Sequence, residues 1–203
     1  MFDKIVQDFL IIWATIDPIG TMALFAGLTK NLSPVQRRKT AYKTVIYATS
    51  VLLGAIIIGQ ILLAAMGISL ISFQLSGGII LFLFGLQMIF STGSNEVTDV
   101  KHDIAVFPLA IPATATPGAI LAVILLTDNH MHPIKEQFYT ALIMLGVLVI
   151  TLVLLLLSGK IIRFIGQGGA SLLTRIMGLI LTALSVEFVM EALGVANWIK
   201  SIG

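Results

Sequence analysis

Six apolar segments divide this 203-residue chain, and each is about as long as a helix that crosses the hydrocarbon core of a bilayer. Their approximate bounds are residues 5–29, 43–66, 69–91, 104–127, 137–158 and 174–195. Charged residues make up only 11% of the chain, against about a quarter in a soluble domain. This pattern excludes a soluble enzyme, a nucleic-acid-binding protein and a disordered protein. It predicts an all-α membrane protein in which residues 1–203 form a single transmembrane domain.

Prolines interrupt two of these segments near the middle. The first segment contains Asp17-Pro18-Ile19-Gly20, and the fourth contains Pro108, Pro112 and then Thr116-Pro117-Gly118. Proline removes a backbone donor and clashes with the preceding turn, so a helix breaks or kinks there. We expect segments 1 and 4 to be broken near the membrane midplane and the other four to be continuous helices.

The chain also matches itself at a fixed offset. A shift of about 99 residues aligns Asp17-Pro18 with Thr116-Pro117 and Pro34 with Pro133, and a shift of 100 aligns Gly78 with Gly178 and Gln87 with Glu187. The first repeat would cover residues of about 1–98 and the second about 99–203. Because each repeat holds three spans, the second would be inverted relative to the first, as in many secondary transporters.

Both interruptions have the residues of helix starts. Asp17-Pro18 is an N-cap followed by proline at the first helical position, and Thr116-Pro117 offers the same arrangement with a neutral cap. Amides at helix starts attract anions, and the unwound carbonyls before them suit a cation or an ammonium group. Glycine in each start lets a ligand approach the backbone closely. We therefore predict a site for a zwitterion whose carboxylate meets the amides of residues 19, 20, 118 and 119. This site consists of Asp17, Pro18, Ile19, Gly20, Thr116, Pro117, Gly118 and Ala119.

A simpler interpretation is that the prolines kink helices for packing and that Asp17 only caps a backbone end. A carboxylate in the middle of a span costs roughly 2.5–3.5 kcal/mol on insertion scales. Unsatisfied backbone at membrane depth is tolerated mainly where it is buried in protein or lines a wet cavity. Two matched interruptions, one of them with an ionisable residue, therefore favour a binding site over a packing kink.

Other polar residues give weaker indications. Gln87 and Glu187, which the repeat aligns, are candidates for the transport pathway or for ion coupling. Helix–helix hydrogen bonding is the alternative for Gln87. His130 and His132 are expected to be loop residues, because they lack the further ligands of a metal site. The chain has no Cys, so disulfides and thiol-ligated metals are excluded.

Lysine and arginine are distributed unevenly between the two ends of the segments. If all six segments cross the membrane, nine of the 12 basic residues share the side reached after segments 1, 3 and 5. The positive-inside rule then places both termini outside the cytoplasm. If the interrupted segments are instead re-entrant hairpins, the count is again nine against three. Charge alone therefore does not decide between the two topologies.

The motifs themselves resemble a known family. Those similar to the MarC family are Asp17-Pro18-Ile19-Gly20, Phe107-Pro108-Leu109-Ala110-Ile111-Pro112, Thr116-Pro117-Gly118-Ala119-Ile120 and the stretch from Ser76-Gly77-Gly78 to Gly85-Leu86-Gln87. The resemblance covers nearly the whole chain. It implies a bacterial or archaeal inner-membrane protein with six spans, and some members are described as transporters of small neutral amino acids. Two residues depart from the pattern, which has Gly at the position of Thr116 and Gln at that of Glu187.

Together these features lead us to expect a secondary transporter in the inner or plasma membrane. It would move a small neutral amino acid or a similar zwitterion, driven by an H⁺ or Na⁺ gradient, with no resident cofactor, no metal and no nucleic-acid partner. Membrane lipid would surround it, and nothing in the sequence indicates an oligomer. An ion channel or a lipid-carrier flippase built on the same broken helices is the alternative. An intramembrane enzyme is not expected, because an aspartyl protease needs two carboxylates in register and Glu187 is the only candidate partner for Asp17.

Overall fold

A computed structural model describes residues 2–90, 103–129 and 131–195. Within these residues the chain is helical and contains no strand, which confirms the all-α prediction. In this part of the chain five helical stretches, of which Asp3–Leu28 is one, are long and apolar enough to cross a membrane, or six if the bent pair Ala105–Thr114 and Pro117–Leu126 counts as one span. The helices are α1 (Phe2–Ile16), α2 (Pro18–Leu28), α3 (Pro34–Ala65), α4 (Leu70–Phe90), α5 (Pro117–Leu126), α6 (Ile134–Gly166) and α7 (Ser171–Ala192), with an irregular segment, Ala105–Thr114, before α5.

Local signals set the ends of the helices. α3 begins at Pro34, well before the apolar segment that starts near residue 43, because Ser33 forms a capping box. The Ser33 hydroxyl accepts a hydrogen bond from the Gln36 amide at 3.3 Å, and the Ser33 amide donates to the Gln36 side chain at 3.1 Å. The basic residues that follow are therefore helical rather than loop residues. Gly166, with φ of 69°, interrupts the helical stretch Ile134–Ala192 and separates α6 from α7.

The irregular segment Ala105–Thr114 owes its shape to its prolines. Phe107 and Ile111 have extended backbone, with φ near −130° and ψ near 124°, and each precedes a proline, which disfavours the helical conformation in the residue before it. The Ala115 amide donates to the Ala110 carbonyl, five residues earlier, at 2.8 Å. The axes of this segment and α5 differ by 53°.

The first span, α1 followed by α2, runs alongside α6 in the same direction. Near its start, Asp8 accepts hydrogen bonds from Lys4 at 3.0 Å and from the Thr140 hydroxyl of α6 at 2.6 Å. Near its end, Phe25 lies under the Arg37 guanidinium at 5.6 Å, and the same guanidinium donates to Ser158 of α6 at 2.6 Å. The 18 residues from position 140 to 158 correspond to about 27 Å of helix. This span therefore advances along α6 without turning back.

The bent pair formed by the irregular segment and α5, which corresponds to the fourth apolar segment, runs alongside α3 in the same direction. The Thr44 hydroxyl donates to the Ala105 carbonyl at 3.3 Å, and the Gln60 side chain donates to the Thr127 carbonyl at 2.8 Å. The 16 residues of α3 between these contacts correspond to about 24 Å. The 53° bend before α5 thus changes the direction of the chain without reversing it.

α4 and α7 pack against each other through small residues. A Cβ built on Gly85 would lie 3.0 Å from the Gly178 carbonyl oxygen, and one built on Gly178 would lie 2.9 Å from the Gly85 carbonyl oxygen. A Cβ on Gly78 would lie 3.2 Å from the Ser185 carbonyl oxygen. Since these distances leave little room for side chains, the glycines allow the helices to approach closely.

Two apolar cores flank the fourth span. The larger lies between α2, α3, α5 and α6, where Phe25, Leu52 and Leu148 are at most 1% exposed. The smaller joins α4 and α7 to Leu121 of α5 and to Ala14 of α1. Both interruptions therefore lie in the packed interior of the protein.

Candidate functional site

The structure confirms the predicted helix starts at both interruptions. Asp17, with φ of 49°, is the N-cap of α2, and its carboxylate accepts a hydrogen bond from the Gly20 amide at 3.0 Å. Thr116 is the N-cap of α5, and its hydroxyl accepts from the Ala119 amide at 2.8 Å. Proline follows each cap at the first helical position, where its missing N–H is not needed.

Hydrogen bonds connect the two interruptions to each other. The Thr116 hydroxyl donates to the Thr15 carbonyl at 2.7 Å, and the Thr21 hydroxyl donates to the Ala113 carbonyl at 2.8 Å. In a continuous helix the Ala113 carbonyl would accept from residue 117, which is a proline without an N–H. Each interruption therefore frees a carbonyl, and a threonine of the other interruption satisfies it.

Most of the predicted site residues lie together in this buried region. Asp17 and Thr116 are at most 4% exposed, and together with Thr15, Thr21 and Thr114, which were not predicted and are equally buried, they form a polar cluster between apolar helices. Of the remaining predicted residues, Pro18, Gly118 and Ala119 are buried, Ile19 and Gly20 are half-buried, and Pro117 is exposed.

The two glycines of the predicted site also leave room for neighbouring side chains. A Cβ on Gly20 would lie 1.9 Å from Oδ2 of Asp17, so this glycine makes room for the capping carboxylate. A Cβ on Gly118 would lie 2.1 Å from the Leu81 side chain of α4. Packing within the protein therefore accounts for glycine at both positions. The close approach of a ligand to the backbone there stays a prediction.

The four amides expected to receive an anion are also not equivalent. The amides of Gly20 and Ala119 already donate to their own N-cap side chains. The amides of Ile19 and Gly118 occupy the second position of each helix, where an N–H has no intrahelical acceptor. The anion-binding capacity at the two helix starts is therefore concentrated at these two positions.

No cationic side chain among the described residues forms an ion pair with Asp17. Its side chain is 4% exposed, and among the described residues the Gly20 amide is the hydrogen-bond donor that reaches it. The ion pairs found in the described part of the chain involve Lys4, Lys43 and His132, and none includes Asp17. A buried charge without a partner is costly. A proton, a sodium ion or an ammonium group beside this carboxylate would therefore be favourable.

Gln87 and Glu187 do not join the buried cluster. Gln87 on α4 and Glu187 on α7 are both exposed. Of the two histidines, His130 lies outside the described residues, and His132 Nδ1 lies 3.4 Å from Glu136. No group of three or more metal-ligating side chains occurs among the residues that the structure describes.

Three threonines of the cluster were missed in the sequence. Thr15, Thr21 and Thr114 were not singled out, although Thr15 and Thr114 are related by the same 99-residue shift that aligns Asp17 with Thr116. Hydroxyl side chains next to an interrupted helix are suited to bind freed carbonyls, so their position beside the prolines was the available signal.

Comparison with known proteins assigns the chain to a family. A family model described as "MarC family integral membrane protein" matches residues 2–198. The chain belongs to the MarC family. This match confirms the resemblance carried by the interrupted segments and by the third span. No solved structure matches the chain.

Relatives of MarC type occur in bacteria and in an archaeon. A UPF0056 membrane protein of Buchnera aphidicola subsp. Schizaphis graminum is 30% identical over 200 residues, which are 98% of this chain and 100% of the relative. A UPF0056 membrane protein of Methanocaldococcus jannaschii is 34% identical over 194 residues, covering 91% and 93%. The UPF0056 inner membrane protein MarC of Salmonella arizonae is 30% identical over 218 residues, covering 99% and 98%. The chain is thus a multi-pass integral membrane protein, and the names of these relatives state no activity.

Proposed function

We propose that this MarC-family protein is a secondary transporter for a small neutral amino acid or a similar zwitterion. The observation that carries the proposal is a buried carboxylate, Asp17, that has no cationic partner among the described residues and lies where two interrupted spans meet. Interrupted spans with half-helix starts are the usual construction of transporter binding sites. An inner-membrane location, as in the name of the Salmonella relative, is consistent with this role.

The proposed architecture is two inverted three-span repeats with spans 1 and 4 broken near the midplane. Its support is reciprocal packing. Span 1 runs parallel to span 5 and span 4 runs parallel to span 2, as a two-fold relation between the halves requires. The pairs Gly78–Ser185 and Gly85–Gly178 are likewise exchanged by a shift of 100 residues.

The same packing favours six full crossings over re-entrant hairpins. A hairpin would return to the side from which it started, whereas spans 1 and 4 follow a neighbouring helix for about 27 and 24 Å. With six crossings, the side that holds nine basic residues is cytoplasmic by the positive-inside rule, and both termini lie outside.

In the proposed mechanism the two helix starts bind the negative group of the zwitterion and Asp17 binds the positive group. The cargo carboxylate binds the amides of Ile19 and Gly118, where the partial positive charge of each helix start is concentrated. The cargo ammonium, or a coupling Na⁺ or H⁺, neutralises Asp17. Because the cargo and the coupling ion then interact with the same carboxylate, the binding of one changes the affinity of the protein for the other.

Uptake by purified protein in proteoliposomes tests this function. A panel of radiolabelled amino acids is offered with an imposed pH or Na⁺ gradient, and the wild type is expected to accumulate at least one small neutral member. Asp17→Asn keeps an oxygen for the cap and removes the charge, so it should keep its melting temperature and lose gradient-driven accumulation. Asp103→Asn, which changes an exposed carboxylate elsewhere, is the matched control and should transport normally.

Two results would overturn the proposal. One is wild-type accumulation by Asp17→Asn with unchanged dependence on the gradient, which would reduce Asp17 to a helix cap. The other is a flux that does not saturate with cargo and follows ion concentration alone, which is the behaviour of a channel.

A further inference from the structure

An apolar groove runs along the outer face of the protein between α1 and α6. Its volume is about 290 Å³, and its lining is wholly apolar. Ile5 and Phe9 of α1 form one wall, and Ile143 and Ile150 of α6 form the other. The groove extends over the seven residues from position 143 to 150, or about 10 Å of helix. Such a surface offers nothing to a polar cargo.

Gly146 gives the groove its depth. It is exposed in the wall that α6 contributes, and a Cβ built on it would meet no atom within 4 Å. Some glycines in the spans, such as Gly85, lie against a neighbouring backbone, whereas Gly146 does not. Gly146 is therefore not explained by helix packing, and any larger side chain there would occupy the space of the groove.

One end of the groove carries the residues of a membrane interface. Tyr139 and Lys135 precede Ile143 by one and two helical turns, so all three lie on the same side of α6. Tyr139 is 41% exposed, and Lys135 is also exposed. Within the described residues no carboxylate forms an ion pair with Lys135. Tyr and Lys at the end of a span are typical of the headgroup region.

We propose that this groove is a binding site for one membrane phospholipid with an anionic headgroup. An acyl chain lies in the groove between α1 and α6, and the phosphate binds Lys135 and the Tyr139 hydroxyl. The exposed ammonium of Lys135 supplies the charge complementarity, because a basic residue near the membrane surface attracts anionic lipid. The acyl chain contributes most of the binding affinity, and the contacts of the headgroup determine which lipid is preferred.

Native mass spectrometry of delipidated protein in detergent tests the proposal. The protein is titrated with palmitoyl-oleoyl phosphatidylglycerol and, separately, with phosphatidylcholine of the same chains. The wild type should bind one phosphatidylglycerol more tightly than further lipids. Gly146→Leu fills the groove and should weaken this first binding of both lipids about tenfold, a factor that corresponds to about 1.4 kcal/mol.

Two further variants separate a specific site from general contact with lipid. Lys135→Gln should keep the binding of the acyl chain and remove the preference for phosphatidylglycerol over phosphatidylcholine. Gly54→Leu is the matched control, because a Cβ at Gly54 of α3 also meets no atom within 4 Å but lies outside the groove. Wild-type lipid binding by Gly146→Leu, or an equal loss in Gly54→Leu, would show that lipid only surrounds the protein and would overturn the proposal.

Discussion

The contact between Gly20 and Asp17 allows a quantitative test of the first helix start. In Gly20→Ala the new Cβ would lie 1.9 Å from Oδ2 of Asp17, so the carboxylate must rotate away from the Gly20 amide. The lost hydrogen bond to a charged group is worth roughly 1.5–3 kcal/mol, and alanine in a helix regains roughly 0.5–1 kcal/mol over glycine. The expected net loss of stability is about 0.5–2.5 kcal/mol.

A double-mutant cycle isolates this interaction. In an Asp17→Ala background the carboxylate is absent, so Gly20→Ala should stabilise the protein by roughly 0.5–1 kcal/mol. The sign of its effect thus reverses, and the coupling energy between the two positions is about 1.5–3 kcal/mol. Gly27→Ala in the same helix is the control, because a Cβ there meets no atom within 4 Å.

Melting temperatures of the four proteins in detergent micelles measure the cycle. For a chain of this length 1 kcal/mol corresponds to about 2–4 °C. Gly20→Ala should lower the melting temperature in the wild-type background and raise it when Asp17 is Ala, while Gly27→Ala raises it slightly in both. Additive effects of the two substitutions would refute the contact and, with it, the reason for glycine at position 20.

Three further predictions concern other parts of the molecule. Thr116→Val removes both the cap of α5 and the bond to the first interruption, and it should cost about 1–3 kcal/mol, whereas Ser50→Ala, which removes an exposed hydroxyl bonded to the Ile46 carbonyl of its own helix, should have little effect on the melting temperature. The Lys43 ammonium donates a hydrogen bond to Asp103 and holds the pKa of that carboxyl below its ordinary value of 3.8. This pair therefore stabilises the fold above pH 3.8 and its contribution is lost as the pH falls through the lowered pKa, so the difference in melting temperature between wild type and Asp103→Asn should vanish at low pH. Single cysteines at Val35 and Phe164, which are 79% and 92% exposed, should both react with a membrane-impermeant thiol reagent from the cytoplasmic face, and reaction from opposite faces would contradict six crossings.

Local chemistry made the helix starts predictable from the sequence. An Asp or Thr followed by proline inside an apolar segment has one favourable conformation, an N-cap, and the structure has it at both Asp17 and Thr116. The start of α3 at Pro34 also depends on local residues, namely the capping box of Ser33 and Gln36. The sequence prediction places it later, because basic residues follow this box and hydropathy assigns them to a loop. The sequence does not distinguish six crossings from re-entrant hairpins, because the count of basic residues is the same for both topologies, and the proposed six crossings rest on contacts between distant parts of the chain.

Hydrophobicity does not predict which face of each span packs against the other helices and which face contacts lipid. In a membrane protein the lipid-facing and protein-facing side chains are both apolar, so the periodicity that reveals the buried face of a soluble helix is weak. Gln87 and Glu187 illustrate the difficulty, because the repeat aligns them but the structure places both on exposed surfaces. The threonine bonds between the interruptions were out of reach for the same reason, since they depend on which turns face each other.

The side-by-side arrangement of span 1 and α6 has a consequence for synthesis of the protein. Asp8 is 3% exposed and its partner Thr140 is 132 residues away in the chain. At about 5–20 residues per second, ribosomes need roughly 7–26 s to make the residues between them. When the first span is made, the helix that will cover Asp8 does not yet exist. Lys4, one helical turn away and 3.0 Å from the carboxylate, is available from the beginning and accompanies Asp8 as its counter-charge until α6 is inserted.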